Sequence, residues 1–421
     1  MPLAVVVAQD LPPEVLLLSR VKRHIHEELQ QLPNISCLET IEREYQPAHG
    51  KMRRLDTVRL EVLANGDSEL FASPGERRFS SRHPISYVGS GMLGEGFFGL
   101  YLKTVLFGYA SHEYKGEEEI GGRRLARYDY RLPRMVSGQT ITSPEGSGQV
   151  GLRGSYWAEA ETGDVLRLEI NAEDFPPTLP TTEMAAGITY ARTRLSDNLT
   201  VLLPGSADVR MVKSSGEIHH DRIGFTHCHV FGAESTISFE AVDSAKDAPH
   251  FAVASTDETL RSLPGDLQIA VKLHSPITGD MAVGALIDGE VLLTVARKGK
   301  GPIPAGSPVR GRIRRLERYT QPSPYFIVAL EFTEIEVQGV RHRFDADIVQ
   351  IDPPHELGTT LSFREKSATS GHTVAGELTT RSWETATTHD LPGVATFFVR
   401  GSSLDLRPGL HTVWRTRPLT P

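Results

Sequence analysis

The run Val58-Arg59-Leu60-Glu61-Val62-Leu63-Ala64-Asn65-Gly66 sets apolar side chains at every second position from Val58 to Val62, with charged residues between them. Successive side chains of a strand point to opposite faces, so the pattern is that of a strand with one face buried and one wet. It stops at Asn65-Gly66, a dipeptide suited to a type I′ hairpin turn, whose two central residues need positive φ. The same punctuation returns at Gly121-Gly122, Thr162-Gly163, Ser215-Gly216, Asp288-Gly289, Gln338-Gly339 and Pro408-Gly409. Between these turns, Arg124 to Tyr130 and Val165 to Ile170 keep the period of two. A ladder of hairpins predicts a mainly β protein built from antiparallel sheet.

Helical periodicity interrupts the ladder twice. Pro12-Pro13-Glu14 suits a first helical turn, where a missing N–H costs nothing, and Leu18, Val21, Ile25, Leu29 and Leu32 follow at helical spacing. Pro33-Asn34 ends this helix. A second helix is predicted from Glu95 to Phe107, with Phe97, Phe98, Tyr101, Val105 and Leu106 on one apolar face.

A chain of 421 residues exceeds the roughly 250–300 at which a single core stops growing, so two domains are expected. Between Phe239 and Leu263 the composition turns to Asp, Ser, Thr, Ala, Lys and Pro without a sustained period, as in an interdomain linker. The expected domains are residues 10–240 and 263–421, with 241–262 as the linker. Pro-rich breaks at Gln321-Pro322-Ser323-Pro324 and Asp352-Pro353-Pro354-His355 interrupt the strands of the second.

Residues 1–9 read as the remnant of a signal peptide: Leu3 to Val7 is an apolar run, and Val6-Val7-Ala8 places small residues where a signal peptidase cuts. The basic n-region is missing, which implies a start codon placed too late and an exported, periplasmic or extracellular product. No stretch reaches the apolar length of a transmembrane span. The two cysteines, Cys37 and Cys228, form an even count compatible with one disulfide in an oxidising compartment. Closing nearly the whole first domain, such a bridge would stabilise by at most about 5 kcal/mol. The alternative is two buried thiols.

The net charge of −8, with both signs interspersed, argues against a nucleic-acid surface. Arg310-Gly311-Arg312-Ile313-Arg314-Arg315 is the one dense basic stretch; without interleaved aromatics it reads as a solvated strand face. Gly89-Ser90-Gly91-Met92-Leu93-Gly94 and Gly146-Ser147-Gly148-Gln149-Val150-Gly151 both match a dinucleotide-binding pattern, but neither lies in a βαβ unit, and both read as flexible loops. His219-His220-Asp221 and His227-Cys228-His229 are the best set of metal-ligand types. A zinc site needs three or four converging ligands, and solvent-facing strand histidines are the expectation here. No catalytic motif appears, so neither a catalytic residue, a metal nor a cofactor is assigned.

The first domain resembles the outer-membrane lipoprotein carrier family and the periplasmic sensor domains that share its fold. The resemblance rests on the opening helix, the strand Asn34-Ile35-Ser36-Cys37-Leu38-Glu39-Thr40, successive hairpins, and the strand pair around Ser155-Tyr156-Trp157-Ala158-Glu159 and Thr162 to Glu169. It implies a half-barrel, capped by helices, that binds acyl chains. In the second domain, Ile303-Pro304-Ala305-Gly306-Ser307-Pro308-Val309-Arg310-Gly311-Arg312-Ile313, preceded by Leu273 to Thr278, resembles the C-terminal β-barrel of conjugation and type IV secretion core proteins. That likeness implies a small β-barrel.

Together these readings predict a non-catalytic envelope protein that binds an apolar or lipid-like ligand, or a protein partner, through Phe97, Tyr101 and Val105. Two apolar helix surfaces must be buried against one sheet, which calls for a half-open barrel with the helices as lid. The same residues packed into a dry core, in an envelope scaffold or adhesion protein, is the second reading. A metal-dependent hydrolase built on the histidines is the third.

Overall fold

The computed structural model describes residues 11–65, 68–76, 79, 83–88, 93–143, 146–232, 261–297, 300–321, 323–352, 361–363 and 393–417. The expectations for residues 1–9, for the first glycine motif up to Met92, for Gly66 and for the linker as far as residue 260 fall outside them. The chain divides into two compact units, Met1–Val230 and Phe231–Pro421.

The first unit contains β1 (Ile35–Gln46), β2 (Arg53–Asn65), β3 (Ser68–Ala72), β4 (Ser111–Ile120), β5 (Arg123–Leu132), β6 (Thr140–Ser143), β7 (Gly146–Gln149), β8 (Gly151–Glu159), β9 (Val165–Glu173), β10 (Thr181–Ser196), β11 (Leu199–Lys213) and β12 (Ile218–Val230). Ten of these form one sheet in the order β3-β2-β1-β12-β11-β10-β9-β8-β5-β4. Every pairing is antiparallel, and β3 and β4 are the edges. The result is a curled half-barrel with few helices: the antiparallel sheet is what the alternation predicts, and the half-barrel is what the resemblance implies. β6 and β7 make a separate hairpin, so the second glycine motif is a paired strand, not a flexible loop.

Turn chemistry explains the connections. Ile120 pairs with Arg123, and the intervening Gly121 and Gly122 sit at φ 58° and 76°, as a type I′ turn requires. Val337 and Val340 pair in the same way across Gln338 and Gly339, at φ 53° and 78°. Asn65 pairs with Ser68 across the predicted first hairpin. Asp288-Gly289 is a correction: it lies inside the strand Leu286–Val291. A Cβ on Gly289 would come within 2.6 Å of the Lys272 carbonyl oxygen, so close strand packing, not a turn, calls for glycine there.

Helix α1 (Pro13–Gln31) buries Leu17, Val21 and Ile25. Helix α2 runs from Leu100 to Phe107 and starts later than predicted: Phe97 and Phe98 belong to the turn before it. Two glycines bound α2. Gly99 precedes its first turn, and a Cβ on Gly108 would come within 2.4 Å of the Thr104 carbonyl oxygen. A short turn, α3 (Arg134–Ser137), ends on Gly138 in the left-handed region. Among the described residues no helix is long and apolar enough to cross a membrane.

The second unit is also built of β-strands. Its main path runs Arg261–Ser262, Val340–Arg343, Tyr325–Val337, Pro308–Tyr319, Leu286–Val291, Gln268–Leu273, His411–Thr416 and Ala346–Asp352, and Ala395–Arg400 pairs beside Tyr325–Leu330. The last two residues of the expected linker thus pair, in parallel, with His342 and Arg343. Trp414 anchors the interior against Phe332 and Phe344. The basic stretch is not a solvated face: Arg312 and Arg315 are only 6% and 4% exposed. Bulges between Arg310 and Gly311 and between Ile313 and Arg315 shift the alternation. Arg315 then meets buried Glu317 at 2.7 Å, and Arg314 meets Glu331 at 2.9 Å.

Candidate functional site

The inner face of the half-barrel is covered by α1 and by a segment we call the lid, Gly94–Phe107. Aromatic contacts and backbone hydrogen bonds seat the lid. Phe97 and Phe98 pack on Phe225 of β12, with ring centres 5.9 and 5.2 Å apart. The buried Tyr190 hydroxyl of β10 donates to the Phe97 carbonyl at 3.0 Å. The Glu69 carboxylate of β3 accepts the N–H groups of Gly96 and Phe98 at 2.6 and 2.8 Å.

The three residues assigned to ligand binding from the sequence meet different surroundings. Phe97 and Val105 are enclosed in packed side chains. Tyr101 borders a cavity of about 40 Å³, lined also by Leu152, Ile170, Met184, Ala186 and Gln139. That space holds about three waters. Phe107, the last residue of α2, is 38% exposed, and His26 of α1 meets its ring edge-on.

Helix α1 is fastened separately. Asp164, in the turn between β8 and β9, lies 2.8 Å from His24 Nε2 and accepts Arg192 Nε at 2.9 Å. Arg192 Nη1 also reaches Glu28 at 2.9 Å. Burial alone would raise the Asp164 carboxyl, but the hydrogen bonds from Arg192 and His24 outweigh it and hold the group below the usual range. Gly163 gives the turn room: at φ 85° it lies directly under the His24 ring.

Under the other half of the lid lies a group of buried acids that sequence reading did not single out. Glu39 stands on β1 opposite Leu60 and Phe225. Neither of its carboxylate oxygens has a hydrogen-bond partner among the described residues, and the same holds for Asp221 Oδ2. Arg43, opposite both Asp56 and Asp221 in register, donates from Nε to Asp56 at 2.7 Å. Burial, then the charges of Glu69 and Asp221, push Glu39 well above the carboxylate range. Burial lifts Asp221 to about 7. Glu69 is half-buried as a residue but its carboxyl group is enclosed by the lid, and it too is raised to about 7 against the pull of the backbone N–H groups. A signal for this cluster existed in the sequence: Glu39 and Arg43 share the parity of Ile35, Cys37 and Ile41, the buried side of β1.

The histidines do not converge. His219 is buried against Tyr45, with ring centres 5.2 Å apart, and so is not solvent-facing as expected. His220 bridges Glu44 and Asp208 at 3.1 and 2.8 Å. His227 and His229 are exposed. No group of three metal-ligating side chains that could hold an ion occurs among the described residues. His227 instead serves the backbone: at φ 52° it forms a bulge opposite Cys37, where the β1–β12 register shifts. There Cys37 and Cys228 are joined in a disulfide with Cα atoms 4.1 Å apart, so the two are not free thiols.

No family model and no curated protein matches the chain. Among solved structures it is similar to a DUF1329 family protein from Desulfovibrio piger, at 12% identity and TM-score 0.28, over 55% of this chain and 98% of that one. It is similar too to a putative outer-membrane lipoprotein-sorting protein domain from Vibrio parahaemolyticus, at 9% identity and TM-score 0.28, over 52% and 94% of the two chains. A LolA-superfamily protein from Nitrosomonas europaea follows at 8% identity and TM-score 0.27, over 51% and 93%. At such scores nothing about function is argued from these likenesses.

Proposed function

We propose that the first unit is a non-catalytic, exported binding module that takes an apolar, lipid-like ligand between its half-barrel and the lid. One observation carries the reading: among the described residues the sheet does not close on itself but ends at β3 and β4, and the apolar half of its inner face is covered by a short, separately seated segment, beneath which a cavity remains at Tyr101. A closed barrel would fill its interior from its own strands. The Cys37–Cys228 pair suits an oxidising compartment. With room for only a few waters, the cavity is a seed and not a finished pocket, so the ligand enters as Tyr101 and the lid move outward. An acyl chain gains about 0.8 kcal/mol per buried CH₂, so micromolar binding, about 8 kcal/mol, calls for more than about ten of them once association costs are met.

Titration of the full chain with a fluorescent fatty acid tests this. Saturable binding is expected, weakened at least tenfold by Ala186→Leu, which fills the cavity. No saturable binding leaves the second reading, an envelope scaffold, which the mostly filled interior favours. We further propose that the second unit is a small barrel that docks a partner. Its Pro304–Gly306 turn, with Gly306 at φ 81°, feeds the strand Pro308–Tyr319.

A further inference from the structure

We propose that Glu39, Glu69 and Asp221 form a proton-operated latch: while the cluster holds its protons the lid Gly94–Phe107 stays seated, and loss of those protons releases it. The inference goes beyond ligand binding and stands whether or not the ligand is a lipid.

The geometry connects the acids to the lid directly. Glu69 grips the backbone of Gly96 and Phe98, and Phe225, beside Glu39 in the β1–β12 pairing, is the ring on which Phe97 and Phe98 rest. The groups around Glu39 cannot neutralise it. On its own strand stands Arg43, already engaged with Asp56 of β2. From β12 comes Asp221, on which His220 and Asp208 act in turn. From β3 comes Glu69, which is itself faced by Glu95 and Tyr101 of the lid and by Tyr190 of β10. Four inner carboxyls, those of Glu39, Asp56, Glu69 and Asp221, thus meet one guanidinium.

An ionised carboxylate without partners in a dry site is costly, and the cost falls when water is admitted. The sheet cannot part to admit it, because β1 is hydrogen-bonded to β2 and β12 along its length. The lid, seated by side-chain packing and a few hydrogen bonds with no strand ladder, can. Glu69 is the member best able to carry charge, since backbone N–H groups favour its anion; Glu39 has no such help. A carboxyl whose pKa is raised in the closed form stabilises that form below its ordinary pKa. The contribution is lost as pH climbs from the ordinary value, 4.5 for Glu69 and 3.8 for Asp221, toward the raised value of about 7 in both.

The test is hydrogen–deuterium exchange of the full chain from pH 5 to pH 8, corrected for intrinsic exchange, comparing peptides from 94–107 with peptides from 13–31. Protection of the lid should fall at least tenfold over that range, while α1 changes less than twofold. Glu39→Gln, a neutral isostere, should keep the lid protected at pH 8, and Asp221→Asn should act in the same direction and serves if the first variant does not fold. Lid protection independent of pH would overturn the proposal. So would an unchanged pH response in both variants, or an equal loss of protection in α1, which would mean that the acids act on the unit as a whole.

Discussion

Asp164 and Asp221 are both buried aspartates on the first unit, yet their surroundings move them in opposite directions. Asp164 receives Arg192 and His24 and is held below the usual range, whereas Asp221 shares an arginine already taken by Asp56 and is raised to about 7. Asp164→Ala should therefore cost about 2 kcal/mol, the scale of hydrogen bonds to a charged group. It should also expose α1, read by its exchange and by the urea midpoint. Asp221→Asn should do the reverse and raise stability at pH 8 by about 1 kcal/mol, since it removes a charge with too little compensation. A fall in the midpoint at pH 8 would mean that the Asp221 anion is used structurally.

At the scale of the elements, glycine does two different jobs. Gly121 and Gly122 need positive φ for a type I′ turn, so Gly121→Ala should cost roughly 1 kcal/mol. Gly154 needs space: a Cβ there would stand 1.9 Å from the Glu169 carbonyl oxygen, and Gly154→Ala should cost about 3 kcal/mol by forcing β8 and β9 apart. Denaturant midpoints of the two variants measure the difference. The disulfide acts across one strand pair, β1 and β12, and closes a sequence separation of 191 residues. Its reduction should lower unfolding stability by about 2–4 kcal/mol, seen as a drop in the urea midpoint on adding a thiol reductant.

For the first unit as a whole, the two classes of acid predict a stability maximum. Asp164, with its depressed pKa, contributes above its ordinary pKa and loses that contribution as the solution is acidified through the folded value. Glu69 and Asp221, raised to about 7 from 4.5 and 3.8, contribute in acid and lose that contribution as pH climbs from those ordinary values to about 7. Thermal unfolding followed by circular dichroism from pH 3 to pH 8 should therefore peak near pH 5. A curve that rises steadily to pH 8 would show that the buried carboxyls are ionised at no cost in the native state.

What the sequence determined by itself was whatever is local. Period-two strands, the Gly121-Gly122 and Gln338-Gly339 reversals and the α1 stripe depend on residues within a few positions of one another, so a mainly β, antiparallel protein could be read directly, whereas an even count of two cysteines allowed the Cys37–Cys228 bridge without deciding it against two buried thiols. Tertiary structure decided the rest, because it depends on which strands become neighbours. Asp288-Gly289 looks like a turn until Lys272 packs on Gly289. The arginines from Arg310 to Arg315 look solvated until bulges turn Arg312 and Arg315 inward. The acids of the latch come from β1, β3 and β12, and only the β1–β12 pairing brings Glu39 and Asp221 onto one face. Parity along a strand tells which side a residue takes, whereas the charges it meets there are set by segments almost two hundred positions away.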